Sequence, residues 1–182
     1  LIQFDHAGTR IQLIDTPGFP DFSGQLIGAL SAVETAVVVI SASAGIEVNT
    51  RRAFQAAGNA GLGRMILVNK CDMDNVAFAG LIDEIQEAFG HACVPLNVPV
   101  GTGGDFSGVI STLEVPADVP EGVELDPTEV NQSLMDAIVE ADEELMERYL
   151  EGEALSPAEL ASGVSTAIAS GTLIPIFCSS SK

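Results

Sequence analysis

Apolar residues gather at Leu1 to Phe4 and again at Arg10 to Ile14, on either side of the tetrad Asp5-His6-Ala7-Gly8. That spacing predicts two strands joined by a tight turn in which Gly8 takes positive φ. A helical pattern from Gly24 to Val33 leads into Ala36-Val37-Val38-Val39-Ile40. A continuous apolar run of this kind suits a strand covered on both faces, so it predicts a central, parallel strand. A helix from Asn49 to Ala60 ends before Gly61, a strand Met65 to Asn69 follows, and a helix from Asp74 to Phe89 closes at Gly90. Strands alternating with helices through short links predict an open α/β sheet flanked by helices on both sides.

From Cys93 the pattern changes. Val94 to Val100 and Val109 to Val115 read as strands around a glycine-rich turn rather than as another crossover unit. Residues 93–171 are therefore expected to form an inserted α+β subdomain, with 1–92 and 172–182 making up the main domain. A linker rich in Pro, Glu and Gly, Pro116 to Pro127, ends in the helix start Asp126-Pro127-Thr128-Glu129. The helix predicted there runs to Leu150, with Leu134, Ile138, Ala141 and Leu145 on one face and Asp136, Glu140, Glu143, Glu144 and Glu147 on others. Ser156-Pro157-Ala158-Glu159 signals another helix to Ser170, stopped by Gly171, and Leu173 to Cys178 reads as a strand returning to the main sheet.

Composition sharpens this picture. The 182 residues are 47% hydrophobic, enough for one substantial core. No apolar run approaches the roughly 18 residues of a membrane span. Three cysteines, Cys71, Cys93 and Cys178, lack metal-ligand spacing and read as buried thiols in a reducing cytoplasm. The net charge of -19, with only seven basic residues, argues against direct RNA binding, which needs clustered Lys and Arg. About fifteen of the 26 acidic residues fall between Glu114 and Glu159, where Arg148 is the sole cation. That half suits a basic partner or a solvated acidic surface.

The chemistry is placed at strand ends. Asp15-Thr16-Pro17-Gly18 follows the second strand, at the carboxyl edge where open α/β sheets bind ligands. Asp-x-x-Gly arises by chance roughly once in a chain this long, so its position carries the signal. There Asp15 can hold a magnesium ion through water, and the Gly18 N–H can reach a terminal phosphate. Asn69-Lys70-Cys71-Asp72 is more specific, with a chance occurrence on the order of one in fifty. The Asp72 carboxylate can accept two N–H groups on one edge of guanine, Asn69 completes that edge, and the Lys70 stem covers the ring. Adenine would set an acceptor against the acid. Ser179-Ser180-Ser181-Lys182 ends the last strand at the same edge, where turn N–H groups can meet the guanine carbonyl. His6 and His91 lack partners at ligand spacing and read as surface or cap residues, while Phe22 and Phe54 read as core.

These motifs, in this order, resemble elongation factor G across essentially the whole chain, down to the stretch Glu143 to Leu150, Glu-Glu-Leu-Met-Glu-Arg-Tyr-Leu. The resemblance implies a P-loop-NTPase-like G domain that binds GTP or GDP with magnesium and acts on the ribosome in the cytoplasm. It also implies that the acidic subdomain meets the stalk protein of the large ribosomal subunit. Two departures matter. No G-x-x-x-x-G-K-[ST] sequence occurs in the 182 residues. The piece is thus expected to lack the first strand of its sheet and to bind GTP weakly or not at all. The family's His after the Gly18 position, which orients the attacking water, is replaced by Phe19, which has no hydrogen-bonding group. Two other readings stay open: a nucleotide-free module docking a basic partner through its acidic half, and another ribosomal GTPase of the release-factor or ribosome-protection type.

Overall fold

The computed structural model describes residues 1–153 and 155–180. The expected hairpin forms: β1 (Ile2–His6) pairs antiparallel with β2 (Thr9–Leu13). Both turn residues, Ala7 and Gly8, take positive φ, 47° and 79°. That left-handed pair matches the twist of the flanking strands, and Gly8 adopts it without a steric penalty. A short 3-10 turn at Pro20–Phe22 opens into α1 (Ser23–Leu30). Then β3 (Thr35–Ser41), α2 (Val48–Asn59), β4 (Gly63–Asn69), α3 (Phe78–Phe89) and β5 (Cys93–Pro95) alternate. A small antiparallel hairpin of β6 (Asn97–Val100) and β7 (Gly108–Ser111) precedes α4 (Pro127–Val139), α5 (Glu143–Leu150) and α6 (Pro157–Ser170), and β8 (Ile174–Cys178) closes the chain.

Four strands form one parallel sheet in the order β3-β4-β8-β5, as an α/β fold with helical crossovers requires. Its two faces bury different sets. Val38, Ile40, Ile66, Val68, Ile174 and Ile176 pack with Phe54, Phe78 and Ile85 of α2 and α3. On the other face, Val94 and Leu173 pack with Leu134 and Ile138 of α4 and Ala167 of α6. The neighbouring pairs Cys93–Val94 and Leu173–Ile174 each divide between the two cores, as alternate strand positions do. The approach of α6 to its neighbours is close: a Cβ on Gly163 would lie 2.7 Å from Cγ2 of Ile138.

Several elements differ from the sequence expectation. β3 is parallel but lies at the edge of this sheet, and only one face is covered: Val38 and Ile40 are buried while Val39 is 57% exposed. An apolar run records affinity for burial, not how many neighbours supply it. Between β3 and the β1–β2 hairpin runs a cleft of about 490 Å³, lined in part by Gln12, Leu13, Leu30, Ala36 and Val37. The run Val94 to Val100 is two strands. β5 joins the main sheet beside β8, and β6 turns away with β7, which is shorter than expected.

The helix expected from Pro127 to Leu150 is broken after Val139, because the Asp142 carboxylate accepts from the N–H groups of Glu144 and Leu145 and starts α5 anew. Helix α3 begins at Phe78 rather than Asp74. Its first N–H groups are met from across the chain by the Glu124 carboxylate, 2.9 Å from Phe78 N. Phe22 is 45% exposed rather than core, whereas Phe54 is buried and stacked on Phe89 under the Arg64 guanidinium.

The acidic half is held by its one cation. Arg148 of α5 pairs with Glu153 at 2.9 Å and with Glu159 in the first turn of α6. The Arg148 guanidinium, aided by the Ser156 hydroxyl and N–H, holds the Glu159 carboxyl down at about 2. Because that value lies below the ordinary 4.5, the contact stabilises fully above pH 4.5 and loses its contribution as pH falls towards about 2. Arg148→Met is expected to flatten this limb of the stability curve, as measured by thermal melting across that acid range. Glu140, Glu143, Glu144 and Glu147 remain exposed beside it.

Candidate functional site

Parallel pairing brings three strand ends together. Ser41 of β3 lies opposite Asn69 of β4, and Val68 lies opposite Cys178 of β8. The segments leaving these strands are cross-linked: Ala42 N donates to Asn69 O at 2.8 Å, Ser179 N to Val68 O at 2.9 Å, and Cys71 N to Ser179 O at 3.2 Å. Asn69-Lys70-Cys71-Asp72 and the turn after β8 thus meet at one carboxyl rim, as their positions at strand ends implied.

The Asn69 side chain is fixed at its oxygen. Oδ1 accepts from Lys70 N at 2.8 Å and from the Ser179 hydroxyl at 3.1 Å. Two donors on the oxygen orient the amide so that its NH2 group is the end available to a ligand acceptor. Lys70 adopts a left-handed backbone, φ 65°, uncommon for a residue with a Cβ. Met73 N donates to Lys70 O at 3.1 Å and closes the turn, within which Asp72 is half-buried and Lys70 is exposed. Ser180 is half-buried beside Ser179, and Ser181 and Lys182 lie outside the described residues.

The Asp15-Thr16-Pro17-Gly18 segment follows β2 as a loop, with Asp15 and Gly18 exposed and Thr16 half-buried. It reaches the same rim by a different route. Asn49, in the first turn of α2 and so just beyond the carboxyl end of β3, donates from Nδ2 to Gly18 O at 2.9 Å. The α2 start that carries Asn49 is itself fixed by a reciprocal cap, Glu47 and Thr50 each bonding the other's backbone. Phe19 is 73% exposed, and its carbonyl accepts from Phe22 N, which begins the 3-10 turn. His6 and His91 are exposed, at the end of β1 and just after α3.

All three cysteines are buried: Cys71 in the loop after β4, Cys178 at the end of β8, and Cys93 at the opposite, amino end of the sheet. The Cys178 thiol is pushed well up by its contact with the Cys71 thiol and by burial, and burial pushes Cys93 up to about 12. Both are inert as nucleophiles at neutral pH.

Sequence reading missed the supports of the rim. Asn49, Asn97 and Glu124 each hold it through contacts from distant parts of the chain. The one local hint was Asn97, a polar residue inside the apolar run Val94 to Val100.

A parallel α/β sheet with these loops on its carboxyl rim has the fold of a translational GTPase G domain. The chain belongs to the family described as the elongation factor Tu GTP binding domain, whose match spans residues 1–182. An elongation factor G-like protein of Thermotoga maritima is 32% identical over 184 residues, which cover 95% of this chain and 26% of that protein. A crystal structure of a protein from Thermus thermophilus matches with a TM-score of 0.84 at 32% identity, covering 98% of this chain and 28% of that one. The chain therefore spans about a quarter of the length of the relatives it matches.

Proposed function

We propose that this chain is the guanine-recognition half of the GTP-binding domain of an elongation factor G-like translational GTPase acting on the ribosome in the cytoplasm. The observation that carries the reading is the joining of Asn69 and Ser179, 3.1 Å apart, at the rim where Cys71 and Ser179 also pair. Two loops from strands far apart in sequence are locked side by side at one rim, and their residue types suit a purine edge. In this reading Asp72 accepts the two N–H groups of guanine, the Asn69 amino group donates to a ring nitrogen, the Lys70 stem covers the base, and the serine-rich turn after β8 would supply N–H groups for the guanine carbonyl. Adenine would leave the acid opposite an acceptor, and buried groups without partners are costly.

The Asp15-Thr16-Pro17-Gly18 loop, tethered by Asn49, would serve the phosphate end. Asp15 offers a single carboxylate, a donor set that suits magnesium only alongside waters and phosphate oxygens. Bound GTP with magnesium supplies the phosphoryl chemistry; Asp15 would orient the ion through water and the Gly18 N–H would meet the terminal phosphate. No Gly-Lys-Thr loop occurs in these 182 residues, so strong nucleotide binding would require one from outside them. The exposed acidic helices would meet the large-subunit stalk protein, as the elongation factor G resemblance implies.

Fluorescent GDP titrated against the longer protein carrying this chain tests the proposal. Saturable binding displaced by GTP but not by ATP supports it. Absence of GDP binding would overturn it in favour of a nucleotide-free module that docks a basic partner through its acidic half, and binding without guanine preference would remove the guanine reading.

Phe19 stands where the family resemblance places a water-orienting His, and its ring can neither donate nor accept a hydrogen bond. Phe19→His is expected to raise single-turnover GTP hydrolysis on ribosomes by roughly a hundred- to a thousand-fold, the usual worth of one positioned group. An unchanged rate would count against a catalytic role for this position.

A further inference from the structure

We propose that Asn97 is a positioning residue for guanine binding, through which the β6–β7 hairpin holds the loop after β8 in register with Asn69. The inference rests on the guanine-binding reading above and adds a control point to it. Beside β8, β5 pairs only as far as Pro95 opposite Ile176, after which Leu96 N donates to Ile176 O at 2.8 Å. The strand partner runs out before Cys178, the last residue of β8. The Asn97 side chain takes its place: Oδ1 accepts from Cys178 N at 2.7 Å and Nδ2 donates to Cys178 O at 3.3 Å. A single primary amide thereby satisfies both main-chain groups of a buried residue, as an adjoining strand would.

From Cys178 the connection passes directly to the rim. Ser179 N bonds Val68 O, Ser179 O accepts from Cys71 N, and the Ser179 hydroxyl donates to Asn69 Oδ1. The hairpin touches the other loop as well, where Gly103 N donates to Cys71 O at 2.9 Å. The β6–β7 hairpin thus braces both base-facing loops from behind, so a force on it reaches the base before the phosphates. Removing the Asn97 amide leaves the Cys178 N–H and C=O without partners and lets the Ser179 turn drift from Asn69.

The base is common to GDP and GTP. Asn97→Ala is therefore expected to speed dissociation of both by roughly ten-fold, the worth of one to two buried hydrogen bonds, leaving their ratio unchanged. Asn131→Ala is the control for mere loss of stability. Asn131 Nδ2 donates to Thr112 O at 2.7 Å and Leu113 O at 3.2 Å, so its loss weakens the same region without touching the rim.

The experiment is stopped-flow release of fluorescent GDP and GTP from the longer protein carrying this chain, as wild type, Asn97→Ala and Asn131→Ala, with thermal melting of each. Faster release confined to Asn97→Ala, while both variants lower the melting temperature, is the expected result. Wild-type release rates in Asn97→Ala, or equal acceleration in Asn131→Ala, would overturn the positioning role alone. A wild type that binds no guanine nucleotide would overturn the guanine reading and this role with it.

Discussion

Asp72→Asn is expected to weaken GDP binding by roughly ten thousand-fold and to turn preference towards xanthosine diphosphate. The carboxylate is the side chain of the Asn69 to Asp72 loop that can accept from two N–H donors on one edge of a base. An amide at the same place offers one acceptor and one donor. Its NH2 would face a guanine N–H, while the extra ring carbonyl of xanthine would meet it well. The neighbouring geometry should survive, because the Asn69 amide is held by Lys70 N and Ser179 rather than by Asp72. Competition among GDP, xanthosine diphosphate and ADP for the longer protein carrying this chain measures the effect. A variant that keeps its guanine preference would remove Asp72 from the base site.

Phe78→Ala carries the largest expected cost to the fold, about 3–5 kcal/mol by analogy with other buried aromatic truncations. Phe78 is fully buried at the first turn of α3, within the core that backs β3, β4 and β8. Its N–H is also where Glu124 anchors the helix, and Thr102 donates to the other oxygen of that carboxylate at 2.9 Å. Emptying the site therefore loosens a junction between the helix and the β6–β7 hairpin as well as leaving a cavity. Urea unfolding followed by circular dichroism is the measurement, and a loss below about 1 kcal/mol would mean that the core closes around the gap.

Local signals served well where the relevant physics is local. The Ala7-Gly8 turn, the Asp126 and Ser156 caps and the motifs at strand ends depend on a few adjacent residues, and all appear where the chain places them. The Asp142 cap was equally local but was hidden by apolar spacing that continues through Leu145 across the break between α4 and α5. The tether from Asn49 to Gly18 and the left-handed Lys70 had no such signal, because each exists only once separate segments are packed.

The sequence by itself determined the α/β class, the succession of strands and helices as far as α3, the acidic surface and the residue types at the candidate base site, because periodicity, capping and motif chemistry are written in neighbouring positions. Tertiary structure alone decided that β3 lies at an edge, that Glu124 starts α3 from 46 residues away, and that Asn97 completes β8. Those outcomes depend on which backbone groups remain unpaired after the sheet has assembled. Hydrogen-bond satisfaction is a property of the whole packed chain, and no stretch of residues contains it in advance.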